Sequence, residues 1–204
     1  GLARINTALD GSSPAVFEVP QSEIDSALAN LDPASIAAFE LAADRVRKFQ
    51  TRGLPKSWSD GTGKFGEKVT PMNSIAAYVP GGTAPLASTV IMTVVPAQVA
   101  GVKEIIVATP APGDAMPHPA VLAAAKIAGA SRVFKLGGAQ AVAALAYGTE
   151  SIPAVDLICG PGSAWVTAAK KLVFGDVGID GLYGPTETLV IADDSADPRF
   201  TASD

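Results

Sequence analysis

The chain has 204 residues, 48% of them hydrophobic and 17% charged, with 20 Gly, 16 Pro and a net charge of -5. That hydrophobic content excludes a disordered, solvating chain. A single Cys excludes an internal disulfide framework, and the acidic balance argues against nucleic acid, which clustered Lys and Arg would hold.

The first fifty residues read as helical. From Gln21 to Asn30, Ile24, Ala27, Leu28 and Leu31 follow helix-face spacing, with Ser22, Glu23 and Asp25 near the start. Asp32-Pro33 restarts a helix, with Asp as N-cap and Pro in the first turn. Its expected face is Ile36, Phe39, Leu41, Val46 and Phe49, and Gly53 ends it. Leu54 to Pro71 is broken by Pro55, Gly61, Gly63, Gly66 and Pro71, so it reads as a linker or extended loop.

From Ile75 the pattern changes. Short apolar strands are expected at Ile75–Val79, Glu104–Ala108, Arg132–Leu136, Val155–Cys159 and Thr188–Ala192. Helices are expected between them at Thr89–Ala100, with Ser88 or Thr89 as cap, and at Ala120–Ala128, Ala139–Tyr147 and Ser163–Phe174. Uninterrupted apolar strands alternating with helices of about ten residues imply βαβ units and a parallel sheet covered on both faces. The fold class is therefore α/β: a Rossmann-like open parallel sheet with flanking helices, preceded by an α-helical segment.

The longest apolar stretch, Leu86 to Val102, carries Ser88, Thr89, Thr93, Pro96, Gln98 and Gly101, so it reads as a buried helix rather than a membrane span. The N-terminus shows no basic region followed by an apolar core, so the expectation is a cytoplasmic protein with no membrane partner. The opening Gly1-Leu2-Ala3-Arg4 lacks an initiator Met and reads as cut from something longer.

Ligands of open α/β sheets bind beyond the carboxyl ends of the strands. Pro80-Gly81-Gly82, the Thr109-Pro110 loop, Gly137-Gly138 and Gly160-Pro161-Gly162 fall there. Glycines let a backbone approach phosphate, and a helix N-terminus offers free N–H donors. They equally serve as plain turns. The dinucleotide fingerprint is incomplete, because Trp165 stands where its third Gly belongs, and there is no P-loop.

Tyr78 ends a strand and either stacks on a planar ring or packs in the core. Gln140 opens a helix and either bonds a ligand amide or caps it. Cys159 reads as a small core residue, and His118, between two prolines, as a solvated loop residue. Thr186 and Glu187 follow Gly184-Pro185 and are candidates for substrate contact. Asp193, Asp194 and Asp197 read as a solvated turn. One His and one Cys can hardly build a zinc site, which takes about three protein ligands.

Four separated segments make the reading specific: Tyr78-Val-Pro-Gly-Gly-Thr-Ala-Pro-Leu-Ala-Ser-Thr89, Gly137-Gly-Ala-Gln-Ala-Val-Ala-Ala-Leu-Ala-Tyr-Gly-Thr-Glu150, Gly160-Pro-Gly162 and Gly184-Pro-Thr-Glu-Thr-Leu-Val-Ile-Ala-Asp193. In this order they resemble histidinol dehydrogenase, densely from Ile75 to Asp204 and more loosely back to Leu2. The resemblance implies NAD-dependent oxidation of L-histidinol to L-histidine through the aldehyde, in histidine biosynthesis, by a zinc-dependent homodimer.

By the same resemblance, Tyr78 and Gln140 contact NAD. Ser163 stands where the family has Asn at an NAD contact, and Thr186 where it has Ser at a substrate contact. No catalytic residue and no zinc ligand of the family falls within this chain, which implies an N-terminal fragment that is inactive alone. The implied organisation is an incomplete helical part of a first domain over 1–74, an NAD-binding-type domain over 75–184, and a return strand and turn of the first domain over 185–204. Two other readings stand beside it: a non-catalytic α/β binding or scaffold module, and a fragment of a paralogue acting on another alcohol.

Overall fold

The computed structural model describes residues 1–81, 85–183 and 189–201. Three helices open the chain: α1 (Leu2–Asp10), α2 (Gln21–Ala29) and α3 (Pro33–Gly53). Asp32 caps α3 as expected, its carboxylate accepting from the Ser35 N–H at 2.9 Å. The face of α3 differs from the expected one. Ala43 is buried and Phe39, Ala42 and Val46 pack beside it, at i, i+3, i+4 and i+7, whereas Leu41 and Phe49 point to solvent. The following linker holds a two-residue hairpin, β1 (Trp58–Ser59) against β2 (Gly66–Glu67), with the Trp58 and Phe65 rings edge to face.

The rest alternates as the apolar runs require: β3 (Ser74–Tyr78), α4 (Ala87–Val99), β4 (Glu104–Thr109), α5 (Pro119–Ala128), β5 (Arg132–Lys135), α6 (Gly138–Tyr147), β6 (Leu157–Cys159), α7 (Ala164–Val173) and β7 (Gly178–Ile179), with a short α8 (Pro198–Thr201) near the end. The sheet order is β5-β4-β3-β6-β7, all parallel. Its closing strand is β7, where none was expected, because a two-residue Gly-Ile strand carries no periodicity. Residues 189–192 form no strand, and Thr188 lies outside the described residues.

Alternation along the strands sorts the core into two layers. Ile75, Ala77, Val79, Ile105, Val107 and Val133 face α4 and α5, with α2 and α3 packed outside these helices. Ala76, Tyr78, Ile106, Ala108, Phe134 and Ile158 face α6 and α7. Both faces being covered is what makes the strands continuously apolar. At the β5 edge, Val19 donates to the Val133 carbonyl and Lys135 to the Phe17 carbonyl, both at 2.8 Å. The Arg132 guanidinium grips both Glu18 oxygens, at 2.9 and 2.7 Å.

Two caps differ from expectation. Leu86, not Ser88 or Thr89, precedes α4, without a side-chain cap. His118 is exposed but not merely solvated, since its Nδ1 accepts from the Ala120 N–H at 3.2 Å and caps α5. No helix among the described residues is long and apolar enough to cross a membrane.

Candidate functional site

The strand order makes a switch point. From β3 the chain builds outward through β4 and β5, then returns to lay β6 on the other flank. In open α/β sheets ligands bind in the crevice at such a switch point, which here lies between the carboxyl ends of β3 and β6. Tyr78 stands on one side and Gly160 on the other.

The Tyr78 ring is buried, and its hydroxyl accepts from the Gly138 N–H at 3.0 Å. Burial pushes the phenol pKa up. The nearby Asp10 carboxylate adds to the rise, and the Gly138 bond opposes it. The phenol therefore stays protonated at neutral pH. Tyr78 thus packs in the core and joins the β3 strand to the β5–α6 turn.

Gln140 is also buried, and it neither caps α6 nor faces open solvent. Its amide donates to Asn6 Oδ1 at 3.1 Å and Asp10 Oδ2 at 2.9 Å, tying α6 to α1. Asn6 and Asp10 carried no sequence signal, because two polar residues on a short first helix look like a solvated face. Ser163 precedes α7 in extended conformation and is exposed, and its hydroxyl makes no cap bond. The first amides of α7 are therefore left without a side-chain acceptor. Thr186 lies outside the described residues, and the structure brings together Tyr78, the Gly137–Gly138 turn and Gln140, while Ser163 stands apart at the start of α7.

Gly160 is where the backbone demands glycine. Its φ is +109°, and an added Cβ would sit 2.1 Å from the Tyr78 carbonyl oxygen. The turn after β6 is thereby pressed against the end of β3. Trp165, in the place of the missing third Gly, is 78% exposed. The indole points away from the sheet, so it does not obstruct packing of α7, contrary to what its bulk suggests in the sequence.

Cys159 lies beside the crevice and packs on the apolar layer. Burial, with the Asp180 carboxylate adding, pushes its thiol up to about 12, which removes it as a thiolate nucleophile. Cys159 and Asp180 also border a cavity of about 770 Å³ whose other walls include Leu54, Met72, Met92 and Pro96. Near the chain end, Asp193 and Asp197 hold Ser195 and Arg199 in local turns, more structured than a merely solvated loop. Among the described residues no three His, Cys, Asp or Glu side chains come together as a metal site.

A family model described as histidinol dehydrogenase matches residues 1–204. The chain belongs to the histidinol dehydrogenase family. A histidinol dehydrogenase of Deinococcus radiodurans is 54% identical over 200 residues, covering 96% of this chain and 45% of the relative. One of Thermus thermophilus is 51% identical, covering 100% and 48%. The crystal structure of histidinol dehydrogenase from Elizabethkingia anophelis superposes with a TM-score of 0.89 at 37% identity, over 98% of this chain and 47% of that one. The chain thus spans about half the length of the curated histidinol dehydrogenases it matches.

Proposed function

We propose that this chain is the cofactor-holding part of an NAD-dependent histidinol dehydrogenase, an oxidoreductase of histidine biosynthesis that takes L-histidinol through its aldehyde to L-histidine. The observation that carries the reading is the β3–β6 switch point, with the Tyr78–Gly138 bond and the Gly160–Gly162 turn at the carboxyl ends of its strands. The residues there fit a dinucleotide. The uncapped amides of α7 suit a phosphate, and by family resemblance Tyr78 and Gln140, bonded here to Gly138, Asn6 and Asp10, would contact the cofactor. NAD would supply the hydride acceptor, and that chemistry belongs to the cofactor.

In this reading the domain over 75–184 orients the cofactor. Tyr78, kept protonated by burial, holds the Gly138 amide and with it the start of α6. Gln140 ties α6 to α1 through Asn6 and Asp10 and so fixes the start of α6, and Ser163 contributes a hydroxyl where the family has the longer Asn. That hydroxyl is shorter in reach and makes a weaker contact. Thr186 belongs to the substrate side, with the segments 1–74 and 185–204 contributing to a first domain. A homodimer in the cytoplasm is the assembly and compartment that go with this reading. The family's zinc does not fit the donors present among the described residues, so no step is derived through it, and this chain is assigned none of the proton transfers.

Calorimetric titration of NAD into the purified chain tests the reading. Saturable binding is expected, weakened about tenfold in Gln140→Ala by loss of a buried amide contact. Because Gln140 also holds α1, Asn6→Ala is the control: it loosens α1 while leaving the carboxamide in place. Equal weakening by both variants would make Gln140 a structural tie. No saturable binding by the parent chain would leave the α/β scaffold module as the better account.

A further inference from the structure

Lys170 is one of two lysines buried among the described residues. It lies on the stripe of α7 formed by Val166, Ala169, Lys170 and Val173, and it is 2% exposed. Its ammonium donates to the Gly160 carbonyl at 3.1 Å and pairs with the Asp180 carboxylate. The second Asp180 oxygen accepts from the Gly160 N–H at 2.8 Å. One ion pair therefore holds both backbone polar groups of a single residue, the one whose missing Cβ lets the turn touch Tyr78. The Tyr183 ring covers the ammonium, 5.6 Å from its centroid.

Stability does not account for such a pair. Taking the Lys170 ammonium out of water costs several kcal/mol while its partner Asp180 keeps 21% of its side-chain exposure, and an apolar residue of similar volume is often equally stable in such a place. What an apolar pair cannot do is aim a donor at the Gly160 carbonyl and an acceptor at its N–H. Lys170 and Asp180 do both, and their charges are taken up by each other and by that backbone, which leaves them to act through the turn.

We propose that Lys170 and Asp180 are positioning residues that set the Gly160–Gly162 turn for the cofactor, a role that rests on the NAD reading above. Two variants separate this role from a structural one. Lys170→Met removes the carbonyl anchor. The pair replacement Lys170→Met with Asp180→Leu removes both anchors without leaving an unpaired Asp180 carboxylate, so it serves as the second variant should the single one be destabilised.

Amide hydrogen exchange at Gly160 and calorimetric NAD titration are read on the parent and both variants. In the pair variant, Gly160 exchange is expected to quicken at least tenfold and NAD affinity to fall about tenfold, with the urea midpoint close to that of the parent. Unchanged Gly160 exchange would show that the pair does not hold the turn. Faster exchange with unchanged affinity would overturn the cofactor role alone, while the Gln140→Ala result still supports NAD in the crevice. Absence of NAD binding by the parent would overturn both.

Discussion

Gly160 and Gly175 offer an internal comparison of strain against collision. Their φ angles are nearly equal, +109° and +106°. An added Cβ at Gly160 meets the Tyr78 carbonyl oxygen at 2.1 Å, its carbon at 3.1 Å and its nitrogen at 3.2 Å, whereas at Gly175 it meets nothing within 4 Å. Gly175→Ala therefore carries only the backbone term, about 1–3 kcal/mol for a side chain held at such a φ. Gly160→Ala carries the same term plus overpacking. The obstacle is strand backbone rather than a side-chain tip, so relief requires β3 and β6 to part, at about 1–3 kcal/mol more.

The expected losses are then about 2 kcal/mol at Gly175 and about 4 kcal/mol at Gly160. With a urea slope of about 2 kcal/mol/M, the midpoints fall by about 1 M and about 2 M. Urea unfolding followed by far-ultraviolet circular dichroism on both variants reads the difference directly. Equal midpoints would refute the claim that the β6 turn is pressed onto Tyr78.

Two further predictions concern ionisable groups. Cys159, with its thiol raised to about 12, is expected to resist a thiol-specific disulfide reagent at pH 8 for as long as the chain is folded and to react at once in denaturant; rapid labelling of the native chain would contradict its burial. Glu18 is held below its ordinary 4.5 by the Arg132 guanidinium bonded to it, so its contribution is present above about pH 4.5 and is lost as pH falls through the lowered folded value. Both side chains are about a third or more exposed, which limits the pair to about 1 kcal/mol. Glu18→Gln should thus trail the parent by that amount in urea at pH 7 and match it near pH 3, and a gap that persists at pH 3 would show that the ion pair is not its source.

The architecture was legible because its causes are local. Strands buried on both faces must be apolar throughout, and helices between them need a small-residue face and a glycine or proline at each end. Ile75–Val79, Glu104–Ala108 and Arg132–Leu136 carry that pattern without ambiguity. The closing strand was not legible. Gly178–Ile179 is too short to show a period, and the apolar run Leu189-Val190-Ile191 looks like a strand yet is 85%, 58% and 89% exposed. A strand needs a partner edge, and β7 holds the edge beside β6.

The site divides along the same line. Apolar periodicity, read in one dimension, determined the α/β class, and the four motif segments carried the resemblance to the family. Only the folded chain decided which groups meet at the site. Gln140 is bonded to Asn6 and Asp10 across more than a hundred residues of sequence, and a lysine on an apolar helix stripe finds an aspartate and both ends of one glycine. The reason is physical: periodicity and backbone preference act over a few residues and leave a mark in the sequence, whereas a hydrogen bond between distant segments depends on coordinates that exist once the sheet has assembled.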